Sequence, residues 1–189
     1  LAGAMRTVWV AASVLLCAGA TPAPPDPQPS DLQPPDVPLV DAVRRGDANA
    51  VRELLESGVE VDATTADGAT ALLWAVHTGQ PELVALLLEA GADVDISNRY
   101  GVGPAHLAAE NGNAAILERL LLAGVDPNLT LRGGETLLMT AARTGDPETV
   151  RTLLAHGADP NPRETTQGQT ALMWAAANNN AAALRLLAE

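Results

Sequence analysis

The apolar positions of this chain recur as triplets at i, i+3 and i+4: Val51, Leu54 and Leu55; Val84, Leu87 and Leu88; Leu117, Leu120 and Leu121; Val150, Leu153 and Leu154. Residues so spaced share one side of a helix, so each triplet predicts a short amphipathic helix with one buried stripe. Ahead of each lies a second apolar segment whose landmark is a small residue, at Ala42, Ala75, Ala108, Ala141 and Ala175. These alanines are spaced by 33 residues, and by 34 at the last step, and Gly68, Gly101, Gly134 and Gly168 keep the same step. A turn and two helices repeated with that period predict a stacked array in which each unit packs on its neighbours.

Polar and glycine positions punctuate the pattern. Gly46, Gly79, Gly112 and Gly145 stop the first helix of each copy, and Gly58, Gly91, Gly124 and Gly157 stop the second. Asp47, Asn113 and Asp146 stand where a side chain caps the second helix, and Pro81 and Pro147 stand in its first turn. The exits GVEVD, GADVD, GVDPN and GADPN predict an exit strand and a hairpin-like arm. Copy four has one extra residue between Asn161 and Thr170, which a turn tip absorbs as a local bump. Alanine on one face lets thin helices approach closely.

The string DGATALLWAVHTGQPELVALLLEAGADVD, Asp67 to Asp95, resembles the ankyrin repeat, whose pattern runs from a D-G-x-T-P-L-H turn and helix to an L-L-x-x-G-A-D-V-N exit. The resemblance covers residues 37–189, as copies 37–66, 67–99, 100–132, 133–166 and an incomplete 167–189. It implies an all-α solenoid of paired antiparallel helices with hairpin-like arms, about five copies. First helices and arm tips then form a concave face that touches a protein or peptide partner. Of T-P-L-H only copy three keeps the proline and histidine, as Pro104 and His106; the other copies read VPLV, TALL, TLLM and TALM. That histidine bonds between repeats in the family, so the polar network between copies is the feature put in doubt.

Composition narrows the function. The chain is 47% apolar with no Phe, so Leu, Ala and Val fill its core. Its eleven basic residues are all Arg, against 23 acids, for a net charge of −12. Such a balance disfavours nucleic acid and anionic membranes, which need positive charge. Near the start, Met5 and Arg6, an apolar run from Val8 to Leu16 and the small residues Ala18 to Ala20 read as a cleavable secretory signal. The expected location is therefore outside the cytoplasm, periplasmic or extracellular. Two alternatives are a retained anchor, for which the run is short, and lipidation at Cys17, where Leu16 is large for the site. Residues 21–36 are a Pro-rich linker.

Candidate contact residues lie on the variable side of the first helices and at the tips. They are Arg44, Arg45, Trp74, His77, Thr78, Glu110, Asn111, Arg143, Trp174 and Asn178 on the helices, and Arg99, Tyr100 and Arg132 at the tips. Trp and Tyr bury much area with little rotamer loss, and Arg makes directional bonds to carboxylates. Each Trp could equally cover the edge of the neighbouring copy. His77, His106 and His156 occupy non-equivalent positions in different copies, so they predict no metal site, and no nucleophile with a spaced base suggests catalysis. No cofactor is expected. Asn128-Leu129-Thr130 matches a glycosylation acceptor, a short pattern that arises by chance. Besides an interaction module, a sensor or targeting domain of a larger exported enzyme, or a structural spacer, fits the same residues.

Overall fold

A computed structural model describes residues 37–188; the signal, Cys17 and the Pro-rich linker lie outside the described residues. The first helices of the five copies are α1 (Pro38–Arg45), α3 (Ala71–His77), α5 (Pro104–Glu110), α7 (Leu137–Thr144) and α9 (Ala171–Ala177). The second helices are α2 (Ala48–Glu56), α4 (Pro81–Glu89), α6 (Ala114–Leu122), α8 (Pro147–Ala155) and α10 (Ala181–Ala188). Each first helix packs on its own second helix and on the first helix of the next copy, and the second helices form a parallel row behind. The fold is all-α, with helices paired antiparallel in five copies.

Size and spacing explain the layering. The landmark alanines Ala42, Ala75, Ala108, Ala141 and Ala175 are all fully buried, where the two rows meet. A larger side chain there would force the rows apart, because interiors are close-packed. Of the apolar triplets only that of copy three, Leu117, Leu120 and Leu121, is buried throughout; Leu54, Leu55, Leu88 and Leu154 are half-buried.

Asp47, Asn113 and Asp146 accept the backbone N–H of Ala50, Ile116 and Thr149 as caps, at 3.1, 3.2 and 2.8 Å. Pro81 and Pro147 open α4 and α8. At the ends of α1 and α7, Gly46 and Gly145 take a left-handed backbone, φ 70° and 83°. In copy five Asn179 fills that position with φ 56°, a conformation Asn tolerates better than most residues with a Cβ.

The arms are hairpin-like, as expected, but they lack the expected exit strands. Among the described residues the only β pairing is one isolated antiparallel bridge, Thr130 to Thr136, so there are no exit strands. Each arm is a tight turn closed by backbone bonds, such as Thr65 N–H to Ala69 C=O at 3.0 Å and Asn98 N–H to Val102 C=O at 3.1 Å. Two or three residues on either side of a turn are too few to sustain a ladder.

Copy four absorbs its extra residue inside the turn. Gly68, Gly101 and Gly134 each donate to the carbonyl three residues back, whereas Gly168 donates to Glu164, four back. The Glu164 carboxylate fills the widened turn, accepting the N–H groups of Thr166, Gln167 and Gln169.

The polar network between copies exists, but it does not run through the histidine. Gln80 donates to the Val43 carbonyl at 3.4 Å, Asn111 to Val76 at 3.4 Å, Thr144 to Ala109 at 3.5 Å, and Asn180 to Ala142 at 2.8 Å. Each of these side chains reaches back to the last turn of the preceding first helix, where carbonyls lack helical partners. Asn128, the glycosylation match, is part of this network. Its amide accepts from Asp159 N–H at 2.8 Å and donates to the Gly157 carbonyl at 3.3 Å.

Candidate functional site

The last turns of the first helices and the arm tips border a shared surface, and two tryptophans mark it. Trp74 lies in α3 and Trp174 in α9 because both occupy the position just before the landmark alanine. Each ring is half-buried, and each indole N–H is enclosed without a hydrogen-bond acceptor.

Around Trp74 the structure gathers two of the sequence-predicted residues, Arg44 and His77. The Arg44 guanidinium lies over the ring, 4.9 Å from its centroid, and is 3.7 Å from the Asp41 carboxylate. His77, one turn on, meets the ring edge-on at 5.7 Å and 86°. Trp74 and His77 line a hollow of about 250 Å³ with Asp67, Asn98, Leu73 and Leu107. Asp67 is held below the ordinary carboxylate range, chiefly by the hydroxyl of Thr65, so it stays anionic at the rim.

Trp174 lines a second hollow, of about 280 Å³, with Arg132, Glu135, Glu164, Gln167 and Gln169. Glu164 is likewise lowered, first by the Gln169 N–H and then by those of Thr166 and Gln167. Arg143 precedes Trp174 as Arg44 precedes Trp74, but its guanidinium pairs with Glu110 at 3.6 Å. The two tryptophans are three copies apart, roughly 30 Å at the ~10 Å spacing of packed helices.

The remaining predicted residues divide. Arg99 and Tyr100 share the second tip, with the guanidinium 5.1 Å from the centre of a ring that is 68% exposed. Arg45 is exposed at the end of α1. Thr78, Asn111 and Asn178 are at the helix ends, where they serve the backbone. Thr78 donates to the Trp74 carbonyl at 2.8 Å, Asn178 to the Trp174 carbonyl at 2.9 Å, and Asn111 clamps Val76.

Sequence reasoning missed Asn98 and Glu164. Asn98 was findable, since an Asn three residues before Gly101 is a turn signature, and its side chain does accept from Tyr100 and Val102. Glu164 carried no signal beyond the one-residue insertion beside it.

Both sides carry mixed charge: Arg52, Arg119, Arg151 and Arg185 stand on the second helices, and Asp67, Glu110, Glu135 and Glu164 stand among the first helices and tips. Exposed acids crowd the second helices, at Glu53, Glu56, Glu82, Glu89, Glu118 and Glu148, and the exits, at Asp93, Asp95, Asp126 and Asp159. Arg44, Arg45, Arg99, Arg132 and Arg143 stand on the opposite, tryptophan-bearing side. The three histidines do not converge, and no metal-binding cluster exists among the described residues. No helix among them is long and apolar enough to cross a membrane.

An array of paired short helices with tight arms defines a repeat scaffold. Comparison with family models agrees: "Ankyrin repeats (3 copies)" matches residues 15–98 and 105–189, and "Ankyrin repeats (many copies)" matches 79–121. The chain belongs to the ankyrin-repeat family, whose repeats are generally protein–protein interaction modules and typically non-catalytic. A search of curated proteins found no match.

Proposed function

We propose that this chain is an exported, non-catalytic module that binds a protein or peptide through the concave face made by its first helices and tips. The observation that carries the reading is the pair of tryptophan-lined hollows. Both fall below the ~300–1,000 Å³ typical of small-molecule pockets, so each suits a side chain or two of a partner and not a cofactor. Half-buried Trp beside Arg is the composition of an interface anchor. A partner that presents carboxylates among apolar side chains meets Arg45, Arg99 and Arg132 on this face. Thr78, Asn111 and Asn178 act in this reading as supports that hold the face in shape. Export rests on the N-terminal signal pattern alone.

Pull-down from an envelope extract with the native chain, Trp74→Ala, Trp174→Ala and the back-face variant Glu89→Ala tests the reading. Capture should fall for both Trp variants and persist for Glu89→Ala. A partner captured equally by all four sinks the face.

A second reading, a sensor or targeting domain of a larger exported enzyme, draws on one observation. Leu172 and Met173 are 40% and 46% exposed, although the matching Leu72, Leu73, Leu138 and Met139 are buried by the following copy. Such a surface suits a further packed segment, and the gene sequence past Glu189 decides between the two.

A further inference from the structure

The arms are not evenly joined. Arm one bonds to arm two through Arg99 N–H to Asp67 C=O at 3.1 Å and Asp93 N–H to the Asp62 carboxylate at 3.0 Å. Arm three bonds to arm four through Thr165 N–H to Gly133 C=O at 2.7 Å and Asp159 N–H to Asn128 at 2.8 Å. Neither bond has a counterpart between arms two and three. Tip packing repeats the division: a Cβ on Gly68 would meet the Arg99 backbone nitrogen at 3.3 Å and one on Gly134 the Glu164 Cα at 3.5 Å, but one on Gly101 would meet nothing within 4 Å.

A hollow of about 430 Å³ lies at this seam, lined by both arms and by His106 at the start of α5. His106 stands in register with Leu73 and Met139, which are apolar, and is 3% exposed. Both of its ring nitrogens are shut away without a partner. Thr70, Thr136 and Thr170 cap α3, α7 and α9 with a hydroxyl, but Gly103 stands at that position before α5, so the ring has no capping hydroxyl on its own helix. Because the nitrogens are enclosed, a ligand in the hollow cannot reach them while the arms stay in place. A proton has the same difficulty, and an imidazolium would need two acceptors that are absent.

We propose that the seam between the second and third arms is a proton-operated opening, in which charging His106 parts these arms while the helix stack stays closed. The titratable and charged groups on the elements around α5 are His77 on α3, Glu118 and Arg119 on α6, Arg143 on α7 and Glu110 on α5 itself. Only the arm carboxylates Asp95 and Asp126 line the hollow with His106. Both are exposed, and they become partners for the imidazolium once the ring swings outward. Asn111 and the packing of α3 on α5 hold the helices together meanwhile. Arg99 and Tyr100 ride on arm two, so the opening moves one tip of the tryptophan-bearing face.

Burial lowers His106 from 6.5 to about 4. The neutral ring therefore favours the closed seam fully above pH 6.5, and that preference is lost as pH falls from 6.5 toward 4. Between pH 7.5 and 5 the opening equilibrium should rise roughly 30-fold.

Hydrogen exchange by mass spectrometry on the full chain, corrected for intrinsic rates, reads this directly. Segments 94–107 and 124–136 should lose protection about 30-fold more than arms one and four between these pH values. His106→Leu should abolish the difference, and His106→Gln, also without a titrating ring, serves if the Leu variant does not fold. Equal loosening of all four arms overturns the proposal, as does the same local loosening in the variant. A His106 midpoint near 6.5 by NMR overturns it as well.

Discussion

Copies two and five carry the same Trp in the same register, yet they present it differently. In copy two, Arg44 of the preceding copy stacks on Trp74; in copy five, the equivalent Arg143 turns back to Glu110. The cause is the neighbour one copy earlier. Among the described residues the carboxylate that Arg44 reaches is Asp41 on its own helix, at 3.7 Å. Arg143 reaches across to Glu110 on the copy before it. Burial differs too, since Leu72 is covered by copy three and Leu172 is 40% exposed. In a stacked array, then, a residue's environment depends on what stands one copy away as much as on its own copy.

The largest test of that contrast is core truncation. Leu72→Ala should destabilise by about 2–5 kcal/mol, as expected for a fully buried leucine, and Leu172→Ala by under ~1 kcal/mol. Urea unfolding measures both, and equal losses would mean the edge of copy five is covered in solution. Next comes partner affinity. Trp74→Ala should weaken binding by about 2 kcal/mol, roughly 30-fold, and Trp174→Ala by less, because no cation is stacked on its ring. Titration calorimetry with the captured partner would reverse the ranking if copy five carries the main anchor.

A smaller effect concerns the fourth tip. The Glu164 carboxyl is lowered in the folded chain, so its grip on the turn is complete above the ordinary value of 4.5 and lost as pH falls through the folded value. The amide signals of Thr166, Gln167 and Gln169 should shift together below pH 4.5, and Glu164→Gln should remove that shift. Smallest is Glu110→Ala. It breaks an exposed pair worth ~0–1 kcal/mol and frees Arg143 to stack on Trp174. The variant's indole fluorescence should then change, and an unchanged spectrum means Arg143 stays away for another reason.

Much of the fold was legible because it follows from local rules. An alanine every 33 residues, caps at Asp47, Asn113 and Asp146, and stops at Gly46 and Gly145 each act within a few residues of themselves. The site was legible only in outline. The residue just before the landmark alanine predicts that Trp74 and Trp174 share a side, but not that Thr78 and Asn178 spend their polar groups on the Trp carbonyls. The exits looked like strands because GADVD alternates, whereas a ladder needs more paired residues than a tip of this length supplies.

By itself the sequence determined the repeat, the helix pairs and the side on which the tryptophans stand, since periodicity and helix geometry need no knowledge of other copies. Only the tertiary structure decided which Arg stacks and which pairs, that Asn111 clamps while His106 goes unpartnered, and that arms two and three lack the bonds that join the other arms. The physical reason is distance along the chain. These outcomes depend on groups about one repeat apart, brought within a few ångströms by stacking, and no local pattern reports which of two reachable partners a side chain takes.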